Sequence, residues 1–162
     1  MNRIVVADAG PLHYLILIDC VDVLPKLFER VFIPAGVRDE LVCSGAPEKV
    51  RTWIDTKINW LLVESLKNPL PVHGLHQGEA EALQLALQIS ATCILMDDYA
   101  GRSAARHLSI PVIGTIGLLE RAAELDLIGL PIAIAKLRAT NFFASPELLE
   151  AALQRERDRR KS

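Results

Sequence analysis

Sulfur is scarce in this chain, and what there is does not form a framework. Three cysteines, Cys20, Cys43 and Cys93, are scattered through 162 residues. They form no Cys-x-x-Cys pair and are odd in number, which argues against both zinc sites and disulfide frameworks. Each sits among apolar residues and reads as a small core side chain. An excess of one charge is also missing. The net charge of -2 means that the surface as a whole does not attract polyanions, so a nucleic acid would need a local basic patch. No apolar run is long enough to span a membrane. The first such run is broken by Asp8 and His13, which argues against a signal peptide and makes a reducing cytoplasm the expected compartment. Neither a Gly-x-Gly-x-x-Gly nor a Walker-type loop occurs, and no serine has a nucleophile-elbow context. Gly114-Thr115-Ile116-Gly117 is too short for a phosphate loop and lacks its lysine. Repeats and low-complexity segments are absent.

What is present describes an ordinary folded domain. Hydrophobic residues make up 51% and charged residues 23%, which excludes a disordered chain. Short β-branched runs alternate with longer helical stretches, the pattern of a single-domain α/β fold with a parallel sheet. Strands are expected at Ile4 to Ala7, Val31 to Ile33, Ile58 to Val63 (the last at an edge), Ala91 to Met96 and Pro111 to Ile113. Helices are expected from Pro11 to Ile18, Val23 to Arg30, Pro34 to about Val42, and Pro47 through Asp55. Further helices are expected from Gln77 to Ser90, Tyr99 to Leu108, Thr115 to Asp126 with Thr115 as cap, and from Pro131. Ser145-Pro146-Glu147 is a strong start for a last helix. The domain is expected over 1–150. Residues 151–162 carry five positive and two negative charges from Arg155 to Lys161 and read as a solvated, frayed basic helix end.

The informative residues are acids at the ends of apolar elements. Asp8 closes Ile4-Val5-Val6-Ala7, and Asp97 and Asp98 close Cys93-Ile94-Leu95-Met96. In open parallel sheets, ligands bind outside the carboxyl ends of strands. If the two strands are neighbours, these carboxylates share one crevice. Alone, each reads equally well as a cap or turn former. Taking Glu79 as zero and advancing about 100° per residue, Leu83, Ala86 and Ala82 fall near 40°, 340° and 300°. On that basis Glu81, Gln84 and Gln88 fall at roughly 200°, 140° and 180°. Glu79 thus sits in the apolar stripe and Glu81 on the polar one. A carboxylate on an apolar face needs compensation, either from the free N–H groups of its helix N-terminus or from a metal. Asp39 and Glu40 both flank the apolar face of Val37 and Leu41, and the wheel does not separate them. Converging carboxylates suit a hard divalent cation. His73 and His76 have a metal-like spacing but lie in a loop rich in proline. Arg102 and Arg106, four apart on a helix, either face a phosphate or point into solvent.

Taken together, these segments resemble PIN-domain proteins, and within them the VapC-like branch of predicted nucleic-acid-binding proteins. The matching stretches are Ile4 to Leu12, Val31-Phe32-Ile33-Pro34 leading to Asp39-Glu40-Leu41, and Gly78-Glu79-Ala80-Glu81-Ala82. Ile94-Leu95-Met96-Asp97-Asp98 followed by Arg102, Ile113 to Leu119, and Leu137 to Leu149 complete the match. The resemblance implies a small parallel sheet flanked by helices, with acids at one end that bind Mg²⁺ or Mn²⁺ and hydrolyse RNA. Carried over, the first acid is Asp8 and the second Glu40, which resolves the tie with Asp39. The third falls in the Glu79/Glu81 segment, where the wheel prefers Glu79. The fourth is Asp97 or Asp98, with Asp98 favoured because Met96 holds the family's hydroxyl position two residues before it. The implied partners are an RNA substrate, a small antitoxin covering the acidic cleft if the chain is a toxin, and a second copy. For a homodimer, the apolar Ile116, Leu118, Leu119 and Leu125 stripe is a candidate face, though core packing explains it equally. The chain departs from the family in having Ala9-Gly10 where many members have Ser or Thr, and Met96 for a common Thr. Those departures motivate the alternative, a catalytically silent PIN fold acting as an RNA-binding or scaffolding module.

Overall fold

The computed structural model describes residues 3–162. One sheet holds β1 (Ile4–Ala7), β2 (Arg30–Pro34), β3 (Leu61–Glu64), β4 (Cys93–Leu95) and β5 (Val112–Ile113). Its order is β3-β2-β1-β4-β5, and every pair is parallel. The connecting helices are α1 (Ala9–Leu17), α2 (Leu24–Leu27), α3 (Ala35–Val42), α4 (Glu48–Asp55), α5 (Gln77–Gln88), α6 (Tyr99–His107), α7 (Thr115–Glu124), α8 (Leu130–Arg138) and α9 (Pro146–Lys161).

Helices cover both faces of the sheet, which is why its central strands are continuous apolar runs. The pleat divides them between two cores. Val5, Ala7, Val31, Ile33 and Leu95 join the larger core with α1, α7, α8 and α9. Val6, Phe32, Ile94 and Met96 join the smaller one with Ala82, Leu83, Leu85 and Ala86 of α5 and Ala105 of α6. Fully burying one such large side chain contributes roughly 1.5–3 kcal/mol. β3 lies at one edge, with Leu62 and Val63 exposed.

Four helices end in the same hydrogen-bonded turn without glycine. Asp19, Ser90, Ser109 and Asp126 all have positive φ, between 52° and 60°. The next residue in each case reaches back across the turn. Cys20 N donates to Leu15 O, Ala91 N to Ala86 O, Ile110 N to Ala105 O and Leu127 N to Ala122 O, each at 2.9 Å. This is the Schellman arrangement, which satisfies carbonyls that the helix leaves free. Short polar side chains are tolerated in the left-handed region.

Several expectations need correction. Residues Val23 to Arg30 are not one helix: a 3-10 turn (Val21–Val23) leads into the short α2, and Arg30 already belongs to β2. Glu29 N and Arg30 N both donate to Arg3 O, which draws this segment into the sheet. Thr115 is the first residue of α7 and not its cap, which is Gly114. The basic end is not frayed. Helix α9 passes residue 150 unbroken, buries Ala152 and Glu156, and packs on α7. Arg155 grips Glu120 through two bonds of 2.7 and 3.0 Å, and Glu156 accepts from Arg159 and Arg160. The proposed dimer stripe is consumed by the core: Ile116, Leu118 and Leu119 are buried, and of that set Leu125 is exposed. Among the described residues, no helix is long and apolar enough to cross a membrane.

Candidate active site

The sheet order reverses at β1, which has β2 on one side and β4 on the other. That reversal opens a crevice at the carboxyl ends of β1 and β4. Asp8 stands at its mouth. Its N–H donates to Leu95 O at 2.9 Å, so pairing with β4 continues one residue past β1 and fixes the Asp8 backbone. The side chain is buried at 6% exposure. Alternation from Val6 directs it to the α5 side. There it lies within electrostatic reach of Glu79, Glu40 and Asp97. Burial pushes its carboxyl up to about 7, a hydrogen bond from the Ala9 backbone opposes this, and the three acids add to the rise.

Glu40 on α3 and the first turn of α5 meet through a pair of notches. Helices α3 and α5 pack together. A Cβ at Gly78 would collide with Glu40 Oε1, and one at Gly36 would collide with Glu81 Oε2. Each helix therefore supplies a bare backbone position for the other's carboxylate. Burial and Glu79 raise the Glu40 carboxyl, with His76 opposing and Glu81 assisting. Glu79 is raised by burial and by Asp98, while His76 opposes. Its Oε2 accepts a long bond from His76 N at 3.3 Å, so the helix N-terminus supplies part of the compensation. Glu81 is not solvated on a polar stripe. It packs over Gly36, and its Oε2 is buried without a hydrogen-bond partner. The rest of that stripe clamps the loop before α5: Gln84 bonds both N and O of Leu70, and Gln88 accepts from Lys67 N at 3.1 Å.

The two adjacent acids divide their work. Met96 N donates to Ile113 O, which continues the pleat and turns Asp97 toward α7. Both Asp97 oxygens are engaged there, by Thr115 N at 2.8 Å and Thr115 Oγ1 at 2.6 Å. Asp98 caps α6 through Oδ2, which accepts from Gly101 N at 3.0 Å, and it remains exposed on the cleft side of Glu79. Arg102 folds back on the strand end, donating to Met96 O at 3.1 Å and lying over Gly114. Arg106 is exposed in the last turn of α6, about 12 Å of helix from Asp98 at 1.5 Å per residue. The fold does not bring Arg106 to the acids. Asp39 is exposed on α3, and none of the interactions with Asp8 or Glu79 involves it.

Sequence reasoning missed the roles of three neighbours. Thr115 holds Asp97, and its signal was the hydroxyl in Gly114-Thr115-Ile116-Gly117. His76 stands before Glu79 at the α5 cap. Tyr14 on α1 is raised by burial and by the charge of Asp97.

Among the described residues, no ion pair includes Asp8, Glu40, Glu79, Asp97 or Asp98; the six pairs lie elsewhere. No group of three or more His, Cys, Asp or Glu among them is close enough to grip a metal ion with its present side-chain positions. The donor set is nonetheless all oxygen. Uncompensated carboxylates that raise one another are the chemistry a hard divalent cation relieves.

A parallel sheet with a buried acid at its switch point, ringed by further acids, defines the class of the protein. Residues 4–158 match the family model described as DUF3368, a PIN domain, and the chain belongs to that family. PIN domains are typically nucleases that act on nucleic acid with divalent ions. In fold, the chain is similar to a PilT N-terminus domain protein, SSO1118, from the hyperthermophilic archaeon Sulfolobus solfataricus P2. The two share 20% identity and a TM-score of 0.55 over 75% of this chain and 95% of that one. No curated protein matches.

Proposed function

We propose that this chain is a divalent-metal-dependent ribonuclease of the VapC-like branch. The observation that carries the reading is Asp8, buried at the β1–β4 crevice among other acids, with no ion pair among the described residues. Asp8, Glu40, Glu79 and Asp98 would hold Mg²⁺ or Mn²⁺. When bound, such an ion lowers the pKa of a coordinated water and stabilises charge on phosphate oxygens. The chain's own residues do the rest. The Gly36 and Gly78 notches aim the Glu81 and Glu40 carboxylates. Thr115 fixes Asp97, which keeps negative charge beside Asp8 without becoming a mobile ligand. Arg102, held at the strand end, offers its remaining N–H groups to a phosphate.

The same chemistry fits the toxin of a toxin–antitoxin pair in the cytoplasm, with a small antitoxin over the acidic cleft. A short upstream reading frame for a DNA-binding partner, and growth arrest on expression, would support that role. A homodimer would need a face other than the buried α7 stripe. The second reading is a catalytically silent RNA-binding or scaffolding module. It is favoured by the open spacing of the acids and by Ala9 and Met96 at the family's hydroxyl positions.

The deciding experiment is cleavage of a mixed single-stranded RNA pool by wild type and Asp8→Asn, with Mn²⁺, Mg²⁺ or EDTA. Metal-dependent cutting, lost in the mutant, is expected. Cutting retained by a pure Asp8→Asn sample sinks the assignment. A folded wild type that cuts nothing supports the silent module.

A further inference from the structure

Helix α1 begins with a glycine that nothing in the fold requires. Gly10 is its second residue, its φ is not positive, and a Cβ there would meet nothing within 4 Å. Inside a helix, glycine is less favourable than alanine by up to about 1 kcal/mol. Gly45, in the turn between α3 and α4, is alike: ordinary φ and open space where a side chain would be. Both glycines border one cavity of about 270 Å³, whose wall carries His13 and Tyr14 and which Glu40 also lines. The bare backbone thus keeps open a space that adjoins the acids.

The aromatic wall is anchored in advance. The Tyr14 hydroxyl donates to Asn141 Oδ1 at 2.9 Å. Its ring meets Phe142 edge-on, with centroids 5.0 Å apart, and His13 with centroids 4.7 Å apart. Asn141 and Phe142 lie between α8 and α9, so the larger core holds the ring from behind. A preorganised ring loses little freedom when a flat ligand arrives. Burial lowers the His13 pKa, which favours its neutral ring. A slot with an aromatic wall, two glycines in its lining beside small and apolar residues, and a carboxylate in its lining suits a planar heterocycle. Unpaired RNA bases are recognised by stacking on aromatic side chains and by hydrogen bonds to their edges.

We propose that this cavity is a nucleobase subsite, taking one unpaired base of a single-stranded RNA beside the acidic site. The proposal rests on the RNA reading above. Glu40, shared by the cavity and the acidic cluster, sets the base next to the phosphate that the acids would address. Gly10 and Gly45 then act through the room they leave.

The test uses the full chain, a short labelled single-stranded RNA, and a series of the same RNA with one base at a time replaced by an abasic ribose. Binding is read by fluorescence anisotropy in EDTA and cutting in Mn²⁺. In wild type, one position of the series should lose roughly 5- to 150-fold in affinity, the range for a single stacked base. Gly45→Val, which fills the cavity from an exposed turn, should bind the intact RNA about as weakly as wild type binds the critical abasic one. It should show no further loss at that position. His13→Ala, with a thermal melt to verify folding, should reproduce a smaller part of the loss. A uniform abasic series in wild type, or unchanged affinity in Gly45→Val, overturns the subsite. If metal-dependent cutting persists in that case, the ribonuclease reading stands without it. A position-dependent series with no cutting supports the subsite and overturns the nuclease. Failure to bind any of the RNAs overturns the subsite outright.

Discussion

Two carboxylates of this protein expose nearly the same small fraction of their surface and behave in opposite ways. Asp8 is 6% exposed at the sheet crevice, and Glu156 is 5% exposed in the α7–α9 seam. Burial raises the pKa of both. At Glu156, hydrogen bonds and charge from Arg160 and Arg159 overcome burial, and its carboxyl falls below the usual range. Asp8 has acids as neighbours instead, and its carboxyl rises to about 7. Exposure alone therefore does not decide the state of a charge: at Asp8 burial leads and the neighbouring acids add to it, while at Glu156 neighbouring cations outweigh burial. The seam supplies its own cations and is complete. The crevice acids have no such ion pair among the described residues.

The strongest way to break this contrast is to remove the charge at Asp8. In the unfolded chain an aspartate titrates near 4. Between that value and about 7 the folded state holds the extra proton, so stability falls as pH rises through this window, and the deficit is complete above it. Asp8→Asn should therefore melt higher than wild type in EDTA at about pH 8, by up to about 4 kcal/mol, and by little near pH 4. Equal melting of the two proteins across that range would show that Asp8 carries no strain. Adding Mn²⁺ should raise the melting temperature of wild type and leave Asp8→Asn where it was. By the same protonation, the apparent Mn²⁺ affinity of wild type should climb with pH and level off above about 7.

The converse change strikes the completed seam. Glu156→Ala removes the carboxylate that Arg159 and Arg160 share, leaving Arg159 its bond to Ala123 O, and should destabilise by about 2 kcal/mol, because both arginines are partly exposed. Denaturant unfolding measures it, and a loss at the level of a surface ion pair would make the seam ornamental. Gly78→Ala sharpens the comparison without touching an acid. Its methyl displaces the Glu40 carboxylate and should lower kcat/KM about tenfold while the melting temperature holds. The smallest effect is expected at a helix end. Ser109→Gly relieves the positive φ and should stabilise by less than about 1 kcal/mol.

Much of this molecule was legible in order along the chain. The apolar runs from Ile4 and Cys93 announced buried strands, and the acids closing them lie at one end of the sheet because parallel strands place all their carboxyl ends together. The Glu79 wheel put that residue on the apolar stripe, and in the structure it is partly buried at the α5 cap. It misjudged Glu81, because a wheel treats a polar stripe as a solvent face and cannot register that Gly36 of another helix would cover it. The same blindness made the basic end look frayed. Arg155 and Arg159 find their acceptors on Glu120 and Ala123, more than thirty positions away.

What the sequence determined by itself is local: where strands and helices lie, which faces are apolar, and that carboxylates close the strands. Those properties follow from periodicity and side-chain chemistry within a few residues. Only the tertiary structure decided which acid belongs to which partner. It gave Asp97 to Thr115, Asp98 to the α6 cap, Glu40 to the Gly78 notch, and left Asp8 with no counter-charge among the described residues. The reason is that electrostatic and hydrogen-bonding energies depend on separation in space, and the packing of α3, α5 and α7 around the β1–β4 crevice sets those separations.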